Sequence, residues 1–317
     1  MKEDIRDKLS LSHDDVLDLN FIRKPGSYVY RRHYRMGLRS HIMELLSPED
    51  LGKENHGVVV EGLKTFPKAK PIKMLRIFRT KFASLTDARQ ELSRVKIVEA
   101  YLAPAHMARS DEFLVSYLVG GKVELLLCGV QEYVEGETLD PWAALNEDHL
   151  LSFYKRMGLE GRESPEKTAA QWIRKVREKA DHFLGRLRAM VMEAGHVPDL
   201  AGVGNLLLTA GGEIKLVDIN NISTVHFDTR IALDDRGYPV CDKSIQALFH
   251  MEQKLLGRPF NSHDVIRKTF LDPGRVRDVK EAVERFHLSV EPPVDPSLPA
   301  TPLFSSQLRL NRSRRCR

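Results

Sequence analysis

The stretch His196-Val197-Pro198-Asp199, Gly204-Asn205-Leu206-Leu207-Leu208 and Ile214-Lys215-Leu216-Val217-Asp218-Ile219-Asn220 decides how this chain is read. Leu206 to Leu208 are an apolar run, Ala210-Gly211-Gly212 is a turn signal, and Ile214 to Val217 are a second β-prone run, so the segment reads as a tight hairpin. Asn205 stands just before the first strand and Asp218 just after the second. The two ends of a hairpin meet in space. An amide oxygen and a carboxylate therefore converge on one point, where a hard cation finds oxygen ligands.

Working outward, the 317 residues are 42% hydrophobic and 29% charged, a globular balance with no run long enough to cross a bilayer. The charged start Met1-Lys2-Glu3-Asp4-Ile5-Arg6-Asp7 lacks the apolar core of a signal peptide, so a cytoplasmic location is expected. Cys128, Cys241 and Cys316 show no paired or metal-binding spacing and read as free thiols, none of them a nucleophile. The net charge of +5 is unevenly placed. Arg23, Lys24, Arg31, Arg32, Arg35 and Arg39 stand without an acid among Tyr28, Tyr30 and Tyr34, and Arg309, Arg312, Arg314, Arg315 and Arg317 repeat the bias at the end. Such stretches are, in the first place, a solvated face and tail, and they also suit an anionic partner, RNA or a membrane surface.

Local patterns divide the chain into a basic N-terminal extension over 1–44, a sheet-rich part over 45–135, a mainly helical part over 136–288 and a Pro-rich, basic tail over 289–317. Leu45-Leu46 and then Leu51-Gly52-Lys53-Glu54-Asn55-His56-Gly57-Val58-Val59-Val60 suggest two short strands joined by a glycine-bounded loop. Lys70 to Phe78 reads as a strand carrying Lys73 and Arg76. It is followed by a helix from about Thr86 to Ala100, with Glu91 beside the stripe Ala88, Leu92, Val95. Phe113 to Val119 and Lys122 to Tyr133 form a hairpin turning at Gly120-Gly121. Beyond a helical region at 141–157 and a loop from Gly161 to Ser164, a long helix runs from about Pro165 to Ala194 on the stripe Trp172, Ile173, Val176, Ala180, Phe183, Leu184, Leu187, and Gly195 ends it. Further helices are expected from Cys241 and near Val276 to Phe286.

In this order the motifs resemble the protein-kinase-like superfamily, including its aminoglycoside-phosphotransferase-like branch, over roughly residues 45–270. The resemblance implies an α+β fold of two lobes: a small antiparallel sheet with one helix, then a larger, mainly helical lobe. It implies an ATP-dependent phosphotransferase using Mg2+ and a hydroxyl-bearing acceptor. Asp199 matches the catalytic base, Asn205 and Asp218 the metal ligands, Gly52, Gly57 and Val59 the nucleotide-covering loop, and Glu132 and Val134 the adenine-binding hinge crossed at Gly136. Lys73 matches the phosphate-contacting lysine, with Arg76 as its rival, and Glu91 the carboxylate that orients it.

Four departures stand beside this. Glu54 replaces the middle glycine, Pro198 replaces the usual Arg, the Asp199 to Asn205 spacing is one residue too long, and Asp218-Ile219-Asn220 replaces Asp-Phe-Gly. Only 23 residues separate Asp218 from Asp242 and they hold no Ala-Pro-Glu, which points away from a conventional peptide acceptor. The alternative is a catalytically impaired relative that binds nucleotide or a partner.

Overall fold

The structure is a computed structural model that describes residues 3–24, 26–34, 37, 39–160, 168–259, 261 and 263–290. Arg35, the loop at 161–164 with the expected helix start, Cys316 and the tail beyond Val290 with its arginines lie outside the described residues. The protein is a mixed α+β structure with antiparallel sheets.

After α1 (His13–Leu17), strands β1 (Val29–Arg32) and β2 (Ser40–Leu46) begin the main sheet, so the expected boundary at residue 44 falls inside β2. Next come α2 (Pro48–His56), a hairpin of β3 (Val58–Val60) and β4 (Leu63–Thr65), then β5 (Lys73–Phe78) and α3 (Leu85–Leu102). The hairpin of β6 (Ser110–Val119) and β7 (Lys122–Glu132) completes a five-stranded sheet of order β1-β2-β5-β7-β6, antiparallel throughout. Gly120 and Gly121 turn that hairpin with φ of 57° and 79°, a left-handed pair that side chains resist.

One expectation is corrected here. Both expected strands are present, Leu45-Leu46 in β2 and Val58 to Val60 as β3, but the glycine-bounded loop between them is helix α2, with Gly52 inside it and Gly57 capping it at φ 75°. The start and stop signals explain why: Pro48 opens it, Glu49 and Asp50 occupy its first turn, Lys53 and His56 its last, each charge favourable to the helix dipole.

The remainder holds β8 (Glu137–Thr138), α4 (Glu147–Arg156), α5 (Ala169–Ala189), β9 (His196–Pro198), the hairpin β10 (Leu206–Leu208) and β11 (Ile214–Leu216), β12 (Ile222–Thr224), α6 (Val240–Leu256), α7 (Val265–Phe270) and α8 (Pro273–Val290). A π-helical turn over Met190–Ala194 follows α5 and ends at Gly195, φ 61°. Every apolar stripe residue of α5 is buried. Val95, Val98 and Leu102 of α3 join them in one core with Leu206, Leu208, Ile214, Leu216 and α6.

A second core lies on the other face of the sheet. Ile5, Leu11, Val16 and Leu19 of the N-terminal segment pack there against Met43, Leu75, Ile77 and Leu126. The segment expected as an extension thus covers the sheet. Alternation along β5 assigns faces: Leu75 and Ile77 go to this second core, and Met74 and Arg76 to the opposite side.

Candidate functional site

The β10/β11 hairpin rests on α5. Trp172 donates from Nε1 to the Ala210 carbonyl at 2.8 Å and Lys179 donates to the Gly211 carbonyl at 2.8 Å, which fixes the turn. At the open end, Val217 N–H donates to the Asn205 carbonyl at 2.8 Å, so Asn205 and Asp218 stand side by side as the hairpin reading requires. The extra residue before Asn205 is absorbed by Gly202. A Cβ on Gly202 would lie 2.5 Å from Asn205 Nδ2, and only a glycine allows Nδ2 to reach back to the Asp199 carbonyl at 2.8 Å. Asn205 Oδ1 is thereby the acceptor left for a ligand.

Asp199 is held on both sides. Its N–H donates to the Asn221 carbonyl at 2.8 Å, following the pairing of β9 with β12, and the next N–H, that of Leu200, donates to Ser244 Oγ at 3.1 Å on α6. Burial pushes its carboxyl up from the ordinary aspartate value. The nearby Asp218 charge adds to this, while the N–H groups of Gly202 and Ala201, each 3.0 Å from Oδ1, oppose it.

Two adjoining cavities meet at this point. The first, about 820 Å3 counted to its open rim, has apolar walls from Ile42, Met74, Leu207 and Val217, with Arg76, Asn205 and Asp218 at its polar end. Its lining, mostly apolar with a few convergent polar groups, is that of a small-molecule site. Glu132, Tyr133, Val134 and Gly136 form its far edge, where the chain leaves β7 for β8. A Cβ on Gly136 would meet the Leu208 carbonyl oxygen at 2.7 Å, so this crossing requires glycine. The second cavity, about 1070 Å3, shares Gly37, Val203, Asn205 and Asp218 with the first and adds Asp199, Asp234, Arg236 and Tyr238.

Arg76 is the cation in the wall, with Lys73 excluded by position. The two are three residues apart on a strand and so face opposite ways; Lys73 is exposed and absent from the cavity lining. Arg76 Nη2 donates to Glu112 Oε1 at 2.8 Å and to Ser110 Oγ at 3.1 Å, and Nη1 donates to Asn220 Oδ1 at 3.2 Å. Asn220 also donates to Ser40 Oγ at 2.8 Å, and its N–H donates to Asp218 Oδ1 at 3.0 Å. The cation is thus tied to both the sheet and the Asp218 turn. Burial lowers the Arg76 pKa, and Asp218 and Glu112 oppose that.

Glu91 does not join this network; it pairs with Arg94 at 3.1 Å on its own helix. Glu112, from a strand, supplies the carboxylate expected from α3. Gly52, Gly57 and Val59 stand apart from both cavities, and Val59 is 71% exposed. Glu54, instead of facing phosphates, accepts from Arg31 at 3.0 Å and from Ala69 N–H at 2.7 Å. From the segment between β1 and β2, Gly37 lines both cavities.

The basic N-terminal stretch is partly neutralised: Arg31 pairs with Glu44 and Glu54, and Arg39 with Asp234 and Asp235. Burial raises Cys128 and Cys241 to about 12, which removes both as nucleophiles. Glu112 and Gly37 escaped the sequence reading, which named Asn220 only as a departure from Asp-Phe-Gly. The signal for Glu112 was Gly129, a glycine inside a strand, which marks a close approach.

Among the described residues no three His, Cys, Asp or Glu side chains converge as a metal cage, and no helix is long and apolar enough to cross a membrane. No protein-family model matches the chain, and a search of curated proteins returns no match.

Proposed function

We propose that this chain is an atypical member of the protein-kinase-like superfamily that transfers a phosphoryl group from ATP to a hydroxyl-bearing acceptor. In this reading the five-stranded sheet with α3 is the smaller lobe and the helical part the larger, and the first cavity takes the nucleotide between them. The observation that carries it is the shared lining: Arg76, Asn205 and Asp218 in one cavity, and Asp199 in the next, joined through Asn205 and Asp218.

The donor set fits magnesium delivered with a nucleotide. Mg2+ takes one or two protein oxygens and completes its shell with phosphate and water, so one aspartate and one asparagine suffice where a dedicated cage would need more. Asp218 and Asn205 Oδ1 are the ligands. Magnesium, when bound, screens the triphosphate charge. Arg76 adds a fixed cation at the phosphate end, and Tyr133 and Val134 offer backbone groups to the base. Asp199, with its raised carboxyl, receives the acceptor's hydroxyl proton as the new oxygen–phosphorus bond forms and the bond to ADP breaks.

Acceptor choice follows from the segment between Asp218 and Asp242. Arg39 Nη2 donates to Asp234 at 2.9 Å, and Arg275 donates to Asp242 at 2.6 Å and to the Asp228 carbonyl at 2.7 Å, so this segment is bolted down. It leaves no long platform for a peptide, and a small or lipidic hydroxyl compound suits the second cavity better. The test is transfer of labelled γ-phosphate from ATP to a panel of hydroxyl acceptors. Product that disappears in Asp199→Asn supports the assignment.

The second reading is a nucleotide-binding protein without transfer. It is favoured by the two backbone N–H groups already on Asp199 Oδ1 and by Glu112, which neutralises Arg76. Metal-dependent ATP binding with no product from any acceptor selects it.

A further inference from the structure

Between β2 and β5 the chain makes a detour the sheet does not need, since β2 pairs directly with β5. Its base is secured where Glu54 on α2 holds both Arg31 and the Ala69 N–H. Its end is not. Among the described residues the strands β3 and β4 pair only with each other, turning at Glu61 and Gly62 with φ of 51° and 80°. Val59 is 71% exposed, Val60 53%, Leu63 71% and Phe66 60%.

Val60 stands opposite Leu63, and Val59 opposite Lys64. Side chains alternate along each strand, so both faces of this ribbon present apolar groups to water. A two-stranded ribbon is marginal by itself in water, and contiguous exposed apolar surface marks a binding region. A protein partner laid on one face would leave the other uncovered; a lipid interface surrounds both.

The charges narrow the occupant further. Lys64, Lys68, Lys70 and Lys73 are exposed in and beside the hairpin; within the hairpin itself the acid is Glu61 at its tip, while Glu54, Glu132 and Glu135 lie at its base. Lys70 meets Glu135, but both side chains are 71% exposed, and such a pair neutralises little. Two copies of the chain would bring like charges together, which opposes self-association through this element. Lys64 Nζ lies 5.4 Å from the centre of the Phe66 ring, an apolar body beside a cationic head.

We propose that the β3/β4 hairpin seats the protein on an anionic lipid surface, its apolar side chains at the acyl boundary and its lysines among the headgroups. Depth is limited by the chain itself. The Glu61 carboxylate at the tip and the open strand edges, whose backbone groups need water, keep the element at the interface and out of the hydrocarbon. The proposal is independent of the nucleotide reading, because no hairpin residue lines either cavity.

The test is co-sedimentation of the full chain with vesicles of phosphatidylcholine alone and of phosphatidylcholine mixed with phosphatidylglycerol. The wild type should bind the mixed vesicles and not the neutral ones, and lose that binding as salt rises. Val59→Ser with Leu63→Ser, both at exposed positions, should abolish binding while leaving the melting temperature unchanged. Glu61→Gln should strengthen binding about fivefold, the effect of one charge near such a surface. Absence of binding to mixed vesicles at low salt overturns the proposal. So does binding that survives the double serine variant, or a concentration-dependent dimer, without vesicles, that this variant abolishes.

Discussion

Arg76 on β5 and Glu112 on β6 form an ion pair across an intervening strand, their side chains 2.8 Å apart and each 1% exposed. Gly129 of β7 stands between them in the cross-strand row, opposite Arg76 on one side and Glu112 on the other. A Cβ there would lie 3.3 Å from Glu112 Oε1 and 3.6 Å from Arg76 Nη2. The missing side chain is what gives the pair its room. The Arg76 Nε and Glu112 Oε2 atoms are buried without partners among the described residues, so the pair is held under a desolvation cost that a purely structural contact could avoid.

Removing one member of this pair leaves the other charge buried alone. Arg76→Met should cost about 3–5 kcal/mol in chemical denaturation, and Arg76→Met combined with Glu112→Leu should recover most of it. The double variant should still fail to bind ATP tightly. Full recovery of both stability and ATP affinity would make Arg76 a structural residue only.

Asp199 gives a pH signature. Its carboxyl is raised by burial, so the acid limb of kcat/KM should fall above the ordinary aspartate value of about 3.9. The stability sign is opposite to that of a salt-bridged acid. The native state holds this proton longer than the unfolded chain, so the cost of ionisation is absent below the unfolded pKa and fully present above the folded one. Asp199→Asn should therefore lower kcat by about 100-fold or more while leaving stability at neutral pH unchanged or improved. Lost stability and lost ATP binding together would make the residue structural.

Gly136 tests the crossing from β7 to β8. Gly136→Ala places a methyl against the Leu208 carbonyl oxygen and should cost about 1–3 kcal/mol, with a larger loss in ATP affinity than in secondary structure. Equal ATP affinity in both proteins would remove Tyr133 to Gly136 from the nucleotide site.

Acid should weaken the fold through two imidazoles. Burial holds His41 and His106 down at about 4 from the ordinary 6.5. The unfolded chain binds these protons first, so stability is fully present above about pH 6.5 and is lost as pH falls towards 4. Each histidine should remove roughly 2 kcal/mol by about pH 5. His41 faces the Ile5 carbonyl at 3.0 Å. His41→Gln should flatten the decline in melting temperature between about pH 7 and pH 5; an unchanged slope would refute the assignment to this residue.

What the sequence revealed depended on how local its cause was. The β10/β11 hairpin, the Gly120-Gly121 turn and the stripe of α5 follow from short-range patterns, and Asn205 and Asp218 came with the hairpin. Lys73 and Arg76 remain rivals on local pattern, since both stand on the same short strand. Strand parity puts only one of them in the cavity wall, but the faces become known only when Leu75 and Ile77 are seen packing on Ile5 and Leu11. Gly52 misled for the opposite reason: its glycine was read as a loop although Pro48, Glu49, Asp50 and Lys53 spelled a helix. Glu112 and Asn220 reach Arg76 over sequence distances of 36 and 144 residues, which no local pattern carries.

The most direct measurement is the thermal shift produced by ATP with and without magnesium, in the wild type and in Asp218→Ala. At about 100 times Kd a ligand stabilises by about 2.7 kcal/mol, enough to raise the melting temperature by several degrees. That rise should require magnesium in the wild type and vanish in the variant, whose melting temperature without ligand should match the wild type. A shift of equal size without magnesium, or one that survives Asp218→Ala, would contradict the assignment of this cleft to a metal-bound nucleotide.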